Sequence, residues 1–259
     1  DAEVIQAAGN NLKVISNYAV GYNNIDIQEA TRQKIPVGNT PGVLTEATSD
    51  FAFALMMSAG RRVVEAEKYV RAGKWKTWGP STLLGVDFAG ATLGIIGFGR
   101  IGKAMARRAT GFGMRILIYD PTSQPMIGVI KVDLDTLYRE SDFISLHTPL
   151  TSETRHLINA DAFSKMKPST VLVNTARGEI IDQTALYDAL KSNKIFAAGI
   201  DVSEPEPLPM DSPLFELDNL IICPHIASAS NTTREKMALI AVGNLLAGLK
   251  GQRLPYAVN

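Results

Sequence analysis

Arg177, Glu206 and His225 are the residues best suited to chemistry on a small oxygen-rich molecule. A guanidinium holds a carboxylate through two parallel N–H···O bonds. An imidazole exchanges a proton near neutral pH, and a carboxylate beside it orients and charges the ring. The three follow apolar runs: Arg177 comes after Thr170–Thr175, Asp201 and Glu206 after Phe196–Ile200, and His225 after Leu220–Cys223. Ligands of open parallel sheets bind beyond the carboxyl ends of the strands, so these side chains are expected to converge on one crevice. Each also has a plainer reading. Arg177 could pair with Glu179 on the surface, Glu206 could be a solvated loop carboxylate, and His225 a loop histidine satisfied by its surroundings. His147 and His156 read as structural, and Cys223 as a buried strand residue without an activating partner.

A second group bears on a cofactor. Gly97-Phe98-Gly99-Arg100-Ile101-Gly102 is a G-x-G-x-x-G that follows the apolar run Thr92–Gly97 and opens a helical pattern, the context a dinucleotide needs. Gly97 permits the tight turn, Gly99 lets backbone approach a pyrophosphate, and Gly102 lets helix and strand pack closely. Asp120 ends the next apolar run 18 residues after Gly102, placed to accept from the adenosine ribose hydroxyls. Pro121-Thr122-Ser123-Gln124 follows without Arg or Lys, so a 2′-phosphate would meet a carboxylate and no cation. This favours NADH over NADPH. A guanidinium, a carboxylate and an imidazole beside a nicotinamide suit carbonyl reduction.

The elements that must position these groups read as a doubly wound parallel sheet. The runs Lys13–Ser16, Thr92–Gly97, Arg115–Tyr119, Gly128–Val132, Phe143–His147, Thr170–Thr175, Phe196–Ile200 and Leu220–Cys223 are mostly uniformly apolar, as strands covered on both faces are. Helical patterns at Arg100–Phe112, Asp161–Met166 and Gln183–Asn193 alternate with them, which argues for right-handed βαβ units. One long helix is expected from Thr45 to about Ala72 and another over Asn231–Leu249, stopped by Gly251. Only seven residues separate Asp120 from Gly128. A parallel crossover ordinarily takes a dozen or more, so residues are expected to be missing there.

The chain has 259 residues, 26 Lys+Arg against 26 Asp+Glu, 46% hydrophobic residues and one cysteine. Balanced charge excludes binding to nucleic acid or acidic lipid by bulk electrostatics. A single cysteine excludes an intrachain disulfide framework and suits a reducing compartment. No run approaches the ~18 apolar residues of a membrane span. A soluble, cytoplasmic protein without a metal site is expected.

The motifs together resemble the D-isomer-specific 2-hydroxyacid dehydrogenases over essentially the whole chain. Leu93–Gly102 is similar to that family's cofactor loop, Val173-Asn174-Thr175-Ala176-Arg177-Gly178 to its arginine motif, Gly199–Pro207 to its glutamate motif and Pro224-His225-Ile226-Ala227-Ser228 to its histidine motif. The resemblance implies that Glu206, five residues after Asp201, is the catalytic carboxylate rather than Glu204. It further implies cofactor contacts from Thr48, Gly97, Gly99, Arg100, Ile101, Gly102, Asp120, Thr148, Pro149, Thr175, Ala176, Arg177, Asp201, His225, Ala227 and Ser228. The loop Asn17–Gly21 would offer N–H groups, at Val20 and Gly21, to a substrate carboxylate that Arg177 and His225 also meet.

The implied architecture is an NAD-binding domain over 43–230 inserted into a flavodoxin-like substrate domain. The latter is represented by 1–42 and 231–259 and is expected to be N-terminally incomplete, because the chain begins at Asp1 and family members run longer there. Residues 73–90, with Trp75 and Trp78, are expected in a homodimer interface. Residues 73–85 most resemble the glyoxylate reductase branch, which overlaps with hydroxypyruvate reductases. Phosphite dehydrogenases and NAD-sensing corepressors share the scaffold and stand as alternatives. Ser203 occupies a position where an aromatic is commoner, and Ala227 one where glycine is commoner.

Overall fold

A computed structural model describes residues 1–259, the side chain of Asn10 excepted. The elements in chain order begin with α1 (Ala2–Ala8), β1 (Ile15–Ser16), α2 (Ile27–Arg32), β2 (Val37–Gly38), α3 (Thr45–Gly60) and α4 (Val63–Arg71). Then come β3 (Thr92–Ile96), α5 (Arg100–Thr110), β4 (Arg115–Tyr119), β5 (Val129–Lys131), α6 (Leu134–Glu140), β6 (Phe143–Leu146) and α7 (Ala160–Lys165). The last are β7 (Val171–Asn174), α8 (Gln183–Lys191), β8 (Ala197–Ile200), β9 (Leu220–Ile222) and α9 (Asn231–Leu249).

The chain divides into two compact units, 1–47 with 228–259, and 48–227. Read from sequence, these boundaries fall at 42/43 and 230/231. The larger unit holds a seven-stranded, all-parallel sheet in the order β5-β4-β3-β6-β7-β8-β9. Every residue of β3, β6, β7 and β8 is buried, which is why those runs carry no polar alternation. Leu93, Ile95, Val171 and Val173 meet Ala52 and Met56 of α3 and Met105 of α5 on one face. Ile96, Ile144, Leu172 and Ala198 meet Leu137, Phe163 and Leu186 of α6, α7 and α8 on the other. The smaller unit pairs β1 with β2 in parallel around Ile5, Ala30, Ile35 and Val37.

One expectation is corrected. The long helix from Thr45 is two helices, broken at Arg61–Arg62, where Arg62 takes a left-handed φ of 54°. The Gly60 carbonyl that would continue the helix accepts instead from Val86 N–H at 2.9 Å, and Arg62 then bonds Glu65 twice, at 2.8 and 2.7 Å. After Asp120 the chain runs directly to the next strand. β4 and β5 are parallel neighbours, Ile116 opposite Val129, joined by residues 120–128 without a helix. Nine residues can reach about 30 Å, enough to step back along a three-residue edge strand.

Candidate active site

The cofactor crevice starts where β3 ends. Gly97 has φ +92° and donates its N–H to Tyr119 O at 2.9 Å, and a Cβ there would strike the carbonyl of His147. Gly102 packs against the Gly97 carbonyl with no room for a side chain. Gly99 is the N-cap of the 11-residue α5 and supplies no side-chain cap, while a Cβ on it would meet nothing within 4 Å. The N–H groups of Arg100 and Ile101 therefore begin a helix whose start faces open space, where an anion is favoured.

Asp120 follows β4 and organises the wall of this crevice. Its Oδ2 accepts from Phe98 N–H at 2.7 Å, and its Oδ1 from Thr122 N–H at 2.9 Å, Thr122 Oγ1 at 3.0 Å and Ser123 N–H at 2.8 Å. Partial burial would raise its pKa, but the donors on Phe98, Ser123 and Thr122 outweigh it and hold the carboxyl down to about 2. Sequence reasoning found no cation here, yet Lys131 of β5 brings its Nζ to 3.0 Å from Ser123 O and 3.4 Å from Pro121 O. No local signal could have shown it, because it depends on β5 pairing with β4.

Thr48 and Thr175 each bury a hydroxyl that finds no hydrogen-bond partner among the described residues. Thr148 and Pro149 follow β6, and the Thr148 backbone lies against Gly97. An open helix start, a carboxylate at the next strand end and two orphaned buried hydroxyls together fit a dinucleotide.

The chemistry-bearing residues come from three adjacent strand ends. After β7, the buried Asn174 accepts from Ala176 N–H at 2.9 Å and donates Nδ2 to Arg177 O at 2.7 Å, which shapes the turn presenting Arg177. Arg177 donates Nη1 to Ala176 O at 2.6 Å. The next residue, Gly178, lies on the Ser203 backbone so closely that a Cβ would overlap it. After β9, His225 adopts φ 55°, a costly conformation for a residue with a Cβ.

Asp201 supports that conformation. Only 1% exposed, its carboxylate accepts from Ile226 N–H at 2.8 Å and Ala227 N–H at 2.7 Å, while its carbonyl accepts from His225 N–H at 2.9 Å. Burial pushes the Asp201 carboxyl above its usual range against the pull of these donors. Both oxygens brace the His225 turn, each accepting one of the two N–H groups that follow it. Glu206 Oε1 sits 2.5 Å from Nδ1 of His225. That leaves Nε2 as the ring nitrogen for an incoming oxygen.

Glu204 is occupied elsewhere: Arg155 Nη1 is 2.7 Å from its Oε1 and His156 Nε2 is 3.1 Å from its Oε2. His147 packs its Nε2 2.8 Å from Ser145 Oγ, and burial pushes the ring down to about 4. Cys223 is half-buried, and burial pushes its thiol up, which suits a strand residue rather than a nucleophile. Ser228 and the loop of Val20 and Gly21 belong to the smaller unit. There the Val20 carbonyl accepts from Asn39 Nδ2 and that of Gly21 from Asn17 Nδ2, each at 2.8 Å. Among the described residues no helix is long and apolar enough to cross a membrane, and no group of three or more His, Cys, Asp or Glu could hold a metal ion.

Known proteins resemble the chain along its whole length. Residues 53–227 match the family model described as D-isomer specific 2-hydroxyacid dehydrogenase, NAD binding domain. The chain is 55% identical to a glyoxylate reductase of Korarchaeum cryptofilum over 264 aligned positions, spanning all of this chain and 79% of that protein. Among solved structures, a protein from Thermus thermophilus superposes with a TM-score of 0.95 at 49% identity, over all of this chain and 82% of that one. An NADPH-dependent glyoxylate/hydroxypyruvate reductase from Sinorhizobium meliloti, in complex with NADP and malonate, gives a TM-score of 0.90 at 35% identity, over 98% of this chain and 80% of that one. The chain belongs to the D-isomer specific 2-hydroxyacid dehydrogenase family.

Proposed function

We propose that the chain reduces glyoxylate to glycolate with NADH, and hydroxypyruvate to D-glycerate as a second reaction. The observation that carries this reading is the Glu206–His225 contact of 2.5 Å, two strand ends from the Arg177 turn. A nicotinamide dinucleotide held by the Gly97–Gly102 turn and Asp120 would supply the hydride for reduction of the substrate. Arg177 holds the 2-oxo acid's carboxylate and polarises its carbonyl. His225 as imidazolium delivers a proton from Nε2 to the forming alkoxide, and Glu206 sustains its charge. Asp120 accepts from ribose hydroxyls and repels a 2′-phosphate, which favours NADH; Lys131 nearby tempers that preference. The N–H groups of Val20 and Gly21 are assigned to a substrate carboxylate.

The 55% identity to a glyoxylate reductase favours this activity over phosphite oxidation or a corepressor role. Residues 73–90 are assigned to a homodimer interface, supported by Trp75 and Trp78, which are 60% and 79% exposed. A reducing cytoplasmic setting is assigned from the single free cysteine. Stopped-flow measurement of NADH oxidation with glyoxylate, hydroxypyruvate and pyruvate, and of NAD reduction with phosphite, tests the reading. Glyoxylate is expected to give the highest kcat/KM, and a rate confined to phosphite would overturn it.

A further inference from the structure

Glu206 needs a fixed loop to hold an exposed carboxylate against His225, since both side chains are more than 40% exposed. Four side chains fix the stretch before it. Gln183, the first residue of α8, accepts from Glu204 N–H through Oε1 at 3.0 Å and donates Nε2 to Glu204 O. Arg155 and His156 grip the Glu204 carboxylate, at 2.7 and 3.1 Å. The segment carrying them is itself tied to the Arg177 side of the site: His156 N–H donates to Glu179 O at 2.8 Å, and Ile158 bridges Ile181 in parallel. Ser203 closes the loop by donating Oγ to Pro205 O at 2.8 Å. The Arg155 guanidinium holds the Glu204 carboxyl below its usual range, so that carboxylate stays charged throughout the working pH range.

From this juxtaposition we propose that Glu204, with Gln183, Arg155 and His156, is a positioning cluster that sets the reach of Glu206 to His225 and so the rate of proton delivery. The proposal rests on the reading of His225 as the acid charged by Glu206. None of the four touches the reacting atoms in this account, and their effect passes through the loop. Glu206 bonds His225 directly, the Asp201 carboxylate accepts from the two N–H groups that follow it, and Cys223 lies two residues before it. Loosening the Glu204 clamp changes the first and leaves the other two in place.

The test compares Glu204→Gln, Gln183→Ala and Arg155→Lys in the NADH-loaded enzyme, with Glu206→Gln run in parallel. Glu204→Gln and Gln183→Ala are expected to lower kcat for glyoxylate on the order of tenfold, with KM and the NADH Kd within about twofold. The pH at which reduction declines is expected to move down, part of the way toward that of Glu206→Gln. Arg155→Lys keeps a cation on Glu204 and is expected to retain most of the rate. A fall in kcat with the pH profile unmoved, or a parallel loss of NADH binding and thermal stability, would reduce the cluster to ordinary scaffolding and overturn the proposal. If Glu206→Gln itself leaves the profile unmoved, the His225 reading fails first, and the positioning role falls with it.

Discussion

Gly178 rests on the backbone of Ser203 at a separation that leaves no space for a Cβ, so the turn that presents Arg177 and the loop that presents Glu206 form one packed joint. Gly178→Ala must push that joint apart. Overpacking of this kind typically costs about 1–3 kcal/mol, and the obstacle here is backbone, which cannot swing aside. Urea unfolding is expected to show a loss in that range. The kcat/KM for glyoxylate should fall further than stability alone explains, because Arg177 and Glu206 are displaced together. A variant with normal kcat/KM would show that the two segments tolerate independent movement.

Arg177→Lys keeps the charge and loses the planar fork that spans a carboxylate and a carbonyl. The expected fall in kcat/KM is on the order of a hundredfold, with NADH affinity nearly normal. Steady-state kinetics paired with fluorescence titration of NADH separates the two. Retention of most activity would return Arg177 to the surface.

Asp120, proposed to accept from the ribose hydroxyls, also holds the N–H groups of Phe98, Thr122 and Ser123. Asp120→Ser combined with Pro121→Arg is therefore expected to weaken NADH binding on the order of tenfold while narrowing or inverting the NADH-over-NADPH preference. Calorimetric Kd values for both cofactors read this directly. Wild-type protein that binds NADPH tenfold more tightly than NADH would show that Lys131, 3.0 Å from Ser123 O, dominates the site instead.

His147 gives the fold an acid sensitivity. Burial pushes the ring down to about 4, while an unfolded histidine titrates near 6.5. As pH falls between those values the unfolded chain takes up the proton first. Stability from the neutral ring is therefore complete above about 6.5 and lost progressively toward 4. Discounted for the ring's partial exposure, the loss between pH 7.5 and 5 is about 1 kcal/mol. The change in urea unfolding free energy between the two pH values should be larger in wild type than in His147→Gln by that amount. Equal pH dependence in both would remove His147 from the account.

Much of the larger unit was legible because its strands are buried on both faces. Leu93-Gly94-Ile95-Ile96 and Val171-Leu172-Val173 have no polar alternation, and turn glycines and strand-end polar residues bracket them. What escaped depended on partners distant in sequence. The break after Gly60 depends on Val86, 26 residues later, and the reach of Lys131 to Ser123 O depends on β5 pairing with β4. The grip of Arg155 and His156 on Glu204 joins residues 49 and 48 apart. Asp201 sat at a strand end in the right motif, yet its carboxylate faces inward to the Ile226 and Ala227 N–H groups, a direction that residue type and spacing do not encode.

The central claim is that Glu206 charges His225 for proton delivery, and the pH profile of reduction by Glu206→Gln tests it most directly. Glu206→Gln removes the charge from the group at Nδ1 while keeping a hydrogen-bonding partner there, and its reduction is expected to decline at lower pH. With deuterated NADH establishing that chemistry limits the rate, the decline of kcat/KM for glyoxylate is expected at lower pH than in wild type. His225→Ala should abolish most turnover and the decline with it, while NADH still binds. A Glu206→Gln profile that coincides with wild type under those conditions would contradict the account.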